Sequence, residues 1–216
     1  LFDMDGVIVH SNPAHKKAIQ LFCDKYDQHI TEDFLENRLY GRTNKEWIPE
    51  VFGAISEERL KKLADEKEQM FRDMFVPEDF IVPGIISFLQ HLKEKEIKMA
   101  VATSAPVENA DYILNRLSIY EYFDAVLDAS HVTKGKPDPE PYLNAAQAIG
   151  LEAQQCVVIE DSVSGVKSGL SAGAKVIGVT TTHTKQELDN CHLVIDNFKG
   201  LTAERLQGLF NGQMPV

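Results

Sequence analysis

The sequence has 216 residues, of which 44% are hydrophobic, and a formal net charge of −11 from 22 basic and 33 acidic side chains. This length and composition allow one large domain, or a main domain with a smaller companion, around a buried core. The acidic balance argues against a protein that binds nucleic acid or an anionic membrane surface through bulk charge. Three cysteines without a CxxC pair are typical of a reducing compartment, so we expect a cytoplasmic protein without a zinc cluster.

The first part of the chain has a helical pattern with almost no residues typical of a strand. Asn12-Pro13 predicts the start of a helix, with Asn12 as its cap and proline in the first turn. Between positions 60 and 74, a stripe that includes Lys67 recurs at i, i+3, i+4 and i+7. This spacing predicts one buried face of a long helix. We therefore expect an all-helical domain over residues 12–79.

From residue 80 onward, short apolar strands alternate with helices. The predicted strands are 97–102, 125–127, 156–159, 175–179 and 193–195, and the predicted helices are 106–117, 139–149, 163–172 and 201–209. This alternation predicts a parallel sheet with helices on both faces. Leu1-Phe2 would end one more strand, so we expect a few preceding residues to be missing from the sequence. The predicted fold is a Rossmann-like α/β core over 1–11 and 80–216, with the helical domain inserted after its first strand.

Polar residues follow four strands of the predicted sheet, at the edge where ligands bind in α/β folds. The four segments are Asp3-Met4-Asp5-Gly6, Thr103-Ser104, Lys136-Pro137 and Glu160-Asp161-Ser162. Several carboxylates in one crevice are unfavourable without a cation, and oxygen ligands favour Mg²⁺. Taken alone, Glu160-Asp161-Ser162 is also typical of a helix N-terminus and Lys136 of a solvated loop. Their position at consecutive strand ends predicts a shared metal-dependent site.

Asp3 and Asp5 are separated by one residue and precede a glycine. In a regular strand, both side chains would lie on one face. A turn beginning at Gly6 would instead direct them apart, so that one serves as a nucleophile and the other as an acid and base.

These segments resemble the four motifs of the haloacid dehalogenase superfamily. The run from Phe2 to Ser11 resembles the first motif, Ala102-Thr103-Ser104 the second, Lys136 in GKPDP the third, and Val158 to Ser162 with Gly165 the fourth. The motifs occur in family order and at family spacing, and the resemblance covers essentially the whole chain. The helical insertion is similar to the cap domain of the phosphatase and β-phosphoglucomutase branch.

The resemblance implies a mechanism for phosphate esters. Asp3 would attack phosphorus and form an aspartyl-phosphate, while Asp5 would protonate the leaving oxygen and later activate water. Mg²⁺ would be held by the Asp3 carboxylate, the Asp5 main-chain carbonyl and Asp161, with Glu160 alongside or through a water molecule. The groups implied for holding the phosphoryl oxygens are Gly6, Thr103, Ser104 and Lys136. The second aspartate, Asp5, disfavours the dehalogenases and transport ATPases of the superfamily.

The resemblance further implies that the cap closes over the site and selects the substrate. Its candidate substrate-binding residues are His15, Gly41, Arg42, Thr43, Asn44 and Lys67. His15 is similar in position to a histidine that assists acid–base chemistry in the mutase branch, with a surface helix histidine as the alternative. Asn44 stands where that branch has an arginine for a second phosphate, and this departure favours a phosphatase.

Three functions are therefore considered. The first is a Mg²⁺-dependent phosphatase for a small organic phosphate such as a sugar phosphate. The second is a β-phosphoglucomutase-like isomerase, in which a sugar hydroxyl accepts the phosphoryl group instead of water. The third, a non-catalytic phosphate-binding module, is disfavoured because no motif residue is missing. We expect a monomer whose partner is a small phosphate ester rather than nucleic acid or a membrane.

Overall fold

The computed structural model describes residues 1–39 and 42–211. The chain divides into two compact units, one formed by Leu1–His10 with Pro77–Val216 and the other by Ser11–Val76. The first is called the α/β unit below and the second the helical unit. No helix in the described part of the chain combines the length and apolarity needed to cross a bilayer.

The helical unit contains helices and no strand among its described residues, 11–39 and 42–76. Its helices are α1 (Asn12–Lys25), α2 (Glu32–Phe34) with a following π-helical turn (Leu35–Leu39), α3 (Asn44–Phe52) and α4 (Glu57–Met74). A cluster of buried apolar residues, including Phe22, Trp47 and Leu63, forms its core. Asn12 is the first helical residue of α1 and Ser11 is the cap, so the predicted cap was wrong by one residue.

The α/β unit contains a parallel sheet. Its strands are β1 (Ala100–Ala102), β2 (Ala125–Leu127), β3 (Val157–Glu160), β4 (Lys175–Val179) and β5 (Leu193–Ile195). Strand β1 pairs in parallel with β2, and β4 pairs in parallel with both β3 and β5. Phe2 connects the two groups through parallel bridges to Val101 and Ile159. The opening residues therefore join the sheet, as the sequence predicted, and they lie between β1 and β3.

Five helices accompany the strands in the described part of the α/β unit. They are α5 (Ile85–Glu94), α6 (Val107–Arg116), α7 (Glu140–Ala148), α8 (Val163–Ser171) and α9 (Ala203–Asn211), and short 3₁₀ turns lie at Pro77–Phe80, Tyr120–Tyr122, Ala129–His131 and Ala153–Gln155. Helix α5 was not predicted, although its buried residues recur at helical spacing: Ile85, Phe88, Leu89 and Leu92. Residues of α7 and α8 share a hydrophobic core with β1, β3 and β4.

The register of the sheet aligns the carboxyl ends of its central strands. The N–H of Asp3 donates to the Ile159 carbonyl at 3.0 Å, and the N–H of Ala102 donates to the Phe2 carbonyl at 2.8 Å. Because these strands are parallel, the residues that follow them emerge at one edge of the sheet. This edge is where the polar segments lie.

Candidate active site

The opening residues form a tight turn that carries Asp3 and Asp5. The Met4 carbonyl accepts hydrogen bonds from the three N–H groups of residues 7–9. Gly6 has a φ angle of 84°, in the left-handed region that favours glycine. A side chain at Gly6 would also displace Asp161, because a Cβ atom there would lie 1.8 Å from its Oδ2 atom. The turn thus leaves room for the Asp161 carboxylate, while Asp3 is buried and Asp5 half-buried.

Lys136 connects three of the strand ends through its ammonium group. Its Nζ atom donates to Asp3 Oδ1 at 2.6 Å, to Glu160 Oε1 at 2.7 Å and to the Ala102 carbonyl at 3.0 Å. The Lys136 side chain is only 8% exposed. Residues from three separate motifs therefore meet in one buried group. Asp3, Lys136, Glu160 and Asp161 are called the carboxylate cluster below.

Glu160 ends β3 with its carboxylate inside the protein. Its Oε2 atom accepts hydrogen bonds from the N–H of Asp161 at 3.0 Å, and from the N–H and Oγ of Ser162 at 3.1 and 3.0 Å. Gly165 leaves space for this carboxylate, since a Cβ atom there would lie 1.7 Å from Oε1. Ser162 also caps α8 by accepting a hydrogen bond from the N–H of Gly165 at 3.0 Å. The segment therefore combines a helix cap with a place in the site.

The charges of the carboxylate cluster do not balance. Burial raises the pKa of Asp3 well above its ordinary value, although the charge of Lys136 opposes this shift. Burial and then the charge of Glu160 raise the pKa of Asp161 to about 7. Burial alone would lower the pKa of Lys136, but the charges of Asp3 and Glu160 raise it well above its ordinary value. One lysine thus faces three carboxylates, and a bound cation would offset the remaining negative charge.

The donor set of the cluster suits a hard metal ion. Each of three carboxylates offers one oxygen atom, and these three oxygens lie within 4.8 Å of one another. The residues are Asp3, Glu160 and Asp161. All of these donors are oxygen atoms, the ligand type that Mg²⁺ prefers. The arrangement therefore fits the predicted divalent cation.

The second predicted motif lies at the end of β1. Thr103 is buried, and its Oγ1 atom accepts a hydrogen bond from the N–H of Ala105 at 3.0 Å. Its own N–H donates to the Leu127 carbonyl at 2.9 Å, which continues the pairing with β2. Ser104 is exposed. The strand end is tied to the cluster through Ala102, whose carbonyl accepts from Lys136.

Comparison with known proteins identifies the family. The model for haloacid dehalogenase-like hydrolases matches residues 1–179, which include every predicted motif. The chain belongs to the haloacid dehalogenase-like hydrolase family. It is 35% identical to a phosphorylated carbohydrates phosphatase of Thermotoga maritima over 82% of each chain. It is 32% identical to β-phosphoglucomutase of Bacillus subtilis over 95% of this chain and 92% of the relative.

A solved structure agrees with this assignment. A family IA variant 3 hydrolase of the haloacid dehalogenase family from Entamoeba histolytica superposes with a TM-score of 0.87 and 32% identity, over 97% of both chains. The resemblance and the fold expected from the sequence, a Rossmann-like α/β core with a helical insertion, are confirmed. The sequence relatives carry the names of a phosphatase and a β-phosphoglucomutase, the enzyme classes that the motifs predict.

Three of the predicted substrate residues of this family member share one hydrogen-bond network around the buried pair Lys67 and Glu68 in the helical unit. Lys67 Nζ lies 2.8 Å from Glu68 Oε1 and 3.2 Å from His15 Nδ1. Asn44 Nδ2 donates to the same Glu68 oxygen at 2.7 Å, and Trp47 Nε1 donates to Asn44 Oδ1 at 3.0 Å. Burial alone would raise the pKa of Glu68, but the charges of Lys67 and His15 and two hydrogen bonds lower it to about 2.

The other predicted residues of the helical unit have different partners. The Arg42 guanidinium contacts the Glu50 carboxylate and donates to the Arg38 carbonyl at 2.9 Å. The N–H and Oγ1 of Thr43 both donate to Glu46 Oε2 at 2.8 Å, at the start of α3. Gly41 lies outside the described residues. Substrate binding by this group stays a prediction.

Two sets of site residues were not predicted from the sequence. Thr182 Oγ1 donates to Asp161 Oδ2, and His183 Nδ1 lies 3.0 Å from the Asp161 carbonyl oxygen. Both residues closely follow β4, at the same edge of the sheet, and this position in the sequence could have identified them as site residues. Tyr142 of α7 donates from its hydroxyl to Glu160 Oε1 at 2.8 Å. No comparable signal marked Tyr142, because only the packing of α7 against the sheet brings it to the cluster.

Proposed function

We propose that this protein is a Mg²⁺-dependent phosphomonoester hydrolase that acts on a small organic phosphate, such as a sugar phosphate. The observation that carries the proposal is the buried contact of 2.6 Å between Lys136 Nζ and Asp3 Oδ1, beside two further carboxylates. This contact keeps a carboxylate at a strand end close to positive charge, and a bound cation would complete an environment suited to an anionic substrate. The phosphatase among the relatives supports the same reaction class.

Asp3 is the proposed nucleophile. An oxygen of its carboxylate attacks phosphorus, and the bond between phosphorus and the leaving oxygen breaks, which forms an aspartyl-phosphate. Asp5 donates a proton to the leaving oxygen, so that a neutral alcohol departs. Asp5 then takes a proton from water as the water oxygen attacks phosphorus. This second step releases inorganic phosphate and restores the Asp3 carboxylate.

Other residues of the site balance charge and hold the substrate. Asp3, Asp161 and the main-chain carbonyl of Asp5 would hold Mg²⁺, which when bound offsets charge on the phosphoryl oxygens. All three N–H groups of Lys136 have protein acceptors, so its proposed contribution is positive charge beside Asp3. Thr103 and Ser104 are proposed to donate to phosphoryl oxygens. The N–H of Gly6, which was also predicted to hold the phosphoryl group, donates instead to the Val9 carbonyl at 2.7 Å.

A β-phosphoglucomutase-like isomerase is the second candidate. The 32% identity with β-phosphoglucomutase over nearly the full length favours it. The helical unit weakens it, because its candidate cations are already paired: Lys67 with Glu68, and Arg42 with Glu50. Paired cations suit an uncharged part of a substrate better than a second phosphate.

A substrate panel would test the proposal. Purified protein is incubated with sugar phosphates, polyol phosphates and p-nitrophenyl phosphate, with Mg²⁺ or with EDTA, and released phosphate is measured. We expect Mg²⁺-dependent release from at least one ester and none from the Asp3→Asn variant. Glucose 6-phosphate accumulating from β-glucose 1-phosphate with its 1,6-bisphosphate would favour the isomerase. No release from any ester would contradict the proposal and favour a non-catalytic module.

We also propose a cytoplasmic location and a monomeric state. Cys23, Cys156 and Cys191 are all free thiols, as is typical of a reducing compartment. Size-exclusion chromatography with light scattering should give a mass near the 24.2 kDa of the chain. A mass of twice this value would contradict the monomer.

A further inference from the structure

Glu160 has a full set of hydrogen-bond donors in the α/β unit. Its Oε2 atom accepts from two N–H groups and the Ser162 hydroxyl, and its Oε1 atom accepts from Lys136 and Tyr142. The side chain is only 1% exposed. A buried carboxylate with five donors is fixed in position. Of these donors, only Tyr142 is a neutral side chain that comes from a distant helix.

Tyr142 contacts both ends of the ion pair. It is fully buried on α7, where its hydroxyl donates to Glu160 Oε1 at 2.8 Å. Lys136 Nζ donates to the same oxygen at 2.7 Å and lies 4.9 Å from the centre of the Tyr142 ring. An ammonium group at this distance from an aromatic ring is attracted to it. Tyr142 therefore limits the movement of Glu160 through its hydroxyl and of Lys136 through its ring.

Lys136 divides its charge between two carboxylates. Its distances to Asp3 Oδ1 and Glu160 Oε1 differ by little, at 2.6 and 2.7 Å. A hydroxyl that donates to Glu160 satisfies part of the charge on that oxygen. Without it, Glu160 Oε1 would have Lys136 as its single donor and would attract the ammonium more strongly, away from Asp3.

We propose that Tyr142 is a positioning residue that acts through Glu160 to keep the Lys136 ammonium directed at Asp3. This role rests on the proposed function, in which Asp3 is the nucleophile. Tyr142 itself contacts neither the substrate nor Asp3 in this scheme. Its effect is to keep positive charge beside the carboxylate that reacts.

The helical unit supplies a matched control. Tyr26 donates from its hydroxyl to Glu66 Oε2 at 2.7 Å, and Lys25 Nζ contacts Glu66 Oε1 at 2.5 Å. The chemical groups are those of the Tyr142, Glu160 and Lys136 trio. The Lys25 side chain, however, is 57% exposed. Tyr26→Phe therefore removes the same kind of hydrogen bond at a place with no proposed catalytic role.

The test compares Tyr142→Phe and Tyr26→Phe with the unaltered protein. Both variants keep the aromatic ring, and thermal melting checks that they remain folded. For p-nitrophenyl phosphate with saturating Mg²⁺, we expect kcat of Tyr142→Phe to fall about 10-fold, with KM changed by less than about twofold. The second readout is trace acetylation of lysines followed by mass spectrometry. Acetylation of Lys136 should rise severalfold in Tyr142→Phe, with the other lysines as internal references.

The outcomes separate this inference from the proposed function. Lower kcat together with greater acetylation of Lys136, and neither change in Tyr26→Phe, would support the positioning role. An unchanged kcat would overturn it, and so would lower kcat with unchanged acetylation, because the effect would not pass through Lys136. If the unaltered protein hydrolyses no ester, the proposed function fails, and acetylation alone decides whether Tyr142 holds Lys136.

Discussion

The α/β unit and the helical unit each bury a lysine beside a glutamate, but the charge around the two lysines differs. Lys136 faces Glu160 and Asp3, with Asp161 beside them, and the pKa of Asp161 is raised to about 7. Lys67 faces Glu68, whose pKa is lowered to about 2. The first group has unbalanced negative charge, whereas the second is balanced by its own members. A buried ion pair alone therefore does not mark a catalytic site, and the proposed site is distinguished by its unbalanced carboxylates.

The largest expected effect is a loss of turnover from a substitution in the α/β unit. Asp3→Asn keeps the shape of the side chain but removes the proposed nucleophile, so we expect kcat to fall at least about 10,000-fold. Circular dichroism and thermal melting should show a folded protein. Near-normal turnover by a preparation free of contaminating phosphatase would contradict the assignment of Asp3.

Removing the lysine of the α/β unit should have the next largest effect. Lys136→Met leaves the carboxylate cluster without its positive side chain, and we expect kcat to fall about 1,000-fold. The measurement is phosphate release from the best ester of the panel. Lys67→Met in the helical unit serves as the comparison and should lower kcat far less with p-nitrophenyl phosphate. Equal losses in the two variants would remove the distinction between the two lysines.

The lysine of the helical unit should matter for stability. Lys67→Met leaves the buried Glu68 charge without its partner, and we expect the free energy of unfolding to fall by about 4 kcal/mol. The double variant Lys67→Met, Glu68→Leu removes both charges and should recover most of this loss. Urea unfolding followed by circular dichroism measures both values. A double variant no more stable than the single variant would show that the pair does not act as a unit.

The smallest expected effect is the pH dependence of the helical unit. The pKa of Glu68 is about 2 in the folded protein, below its ordinary value of 4.5. Its contribution to stability, about 3 kcal/mol, is therefore complete above pH 4.5 and is lost as the pH falls towards 2. Urea unfolding between pH 6 and 3 should show a smaller decline in Glu68→Gln than in the unaltered protein. Parallel declines would assign the acid sensitivity to other groups.

The main features of the fold and the cluster could be predicted from the sequence because they depend on local pattern. Apolar strands between helices fix a parallel sheet, and a parallel sheet places the residues after its strands at one edge. Asp3, Lys136 and Glu160 were found in this way. The lowered pKa of Glu68 could not be predicted from the sequence, because it depends on residues of α1 and α3 as well as on its own helix. Tyr142 was missed for the same reason, since α7 approaches Glu160 only in the folded chain.

The opening segment between β1 and β3 has a consequence for how the protein folds. Asp3 and Lys136 are separated by 133 positions, and the segment that carries Asp3 pairs with Ile159. Closing so long a loop is slow and costs entropy that local contacts do not return. During synthesis, the opening segment can pair with β1 first, whereas its pairing with Ile159 requires β3 to have emerged from the ribosome. The chemistry of the enzyme is thus among the last properties the growing chain acquires.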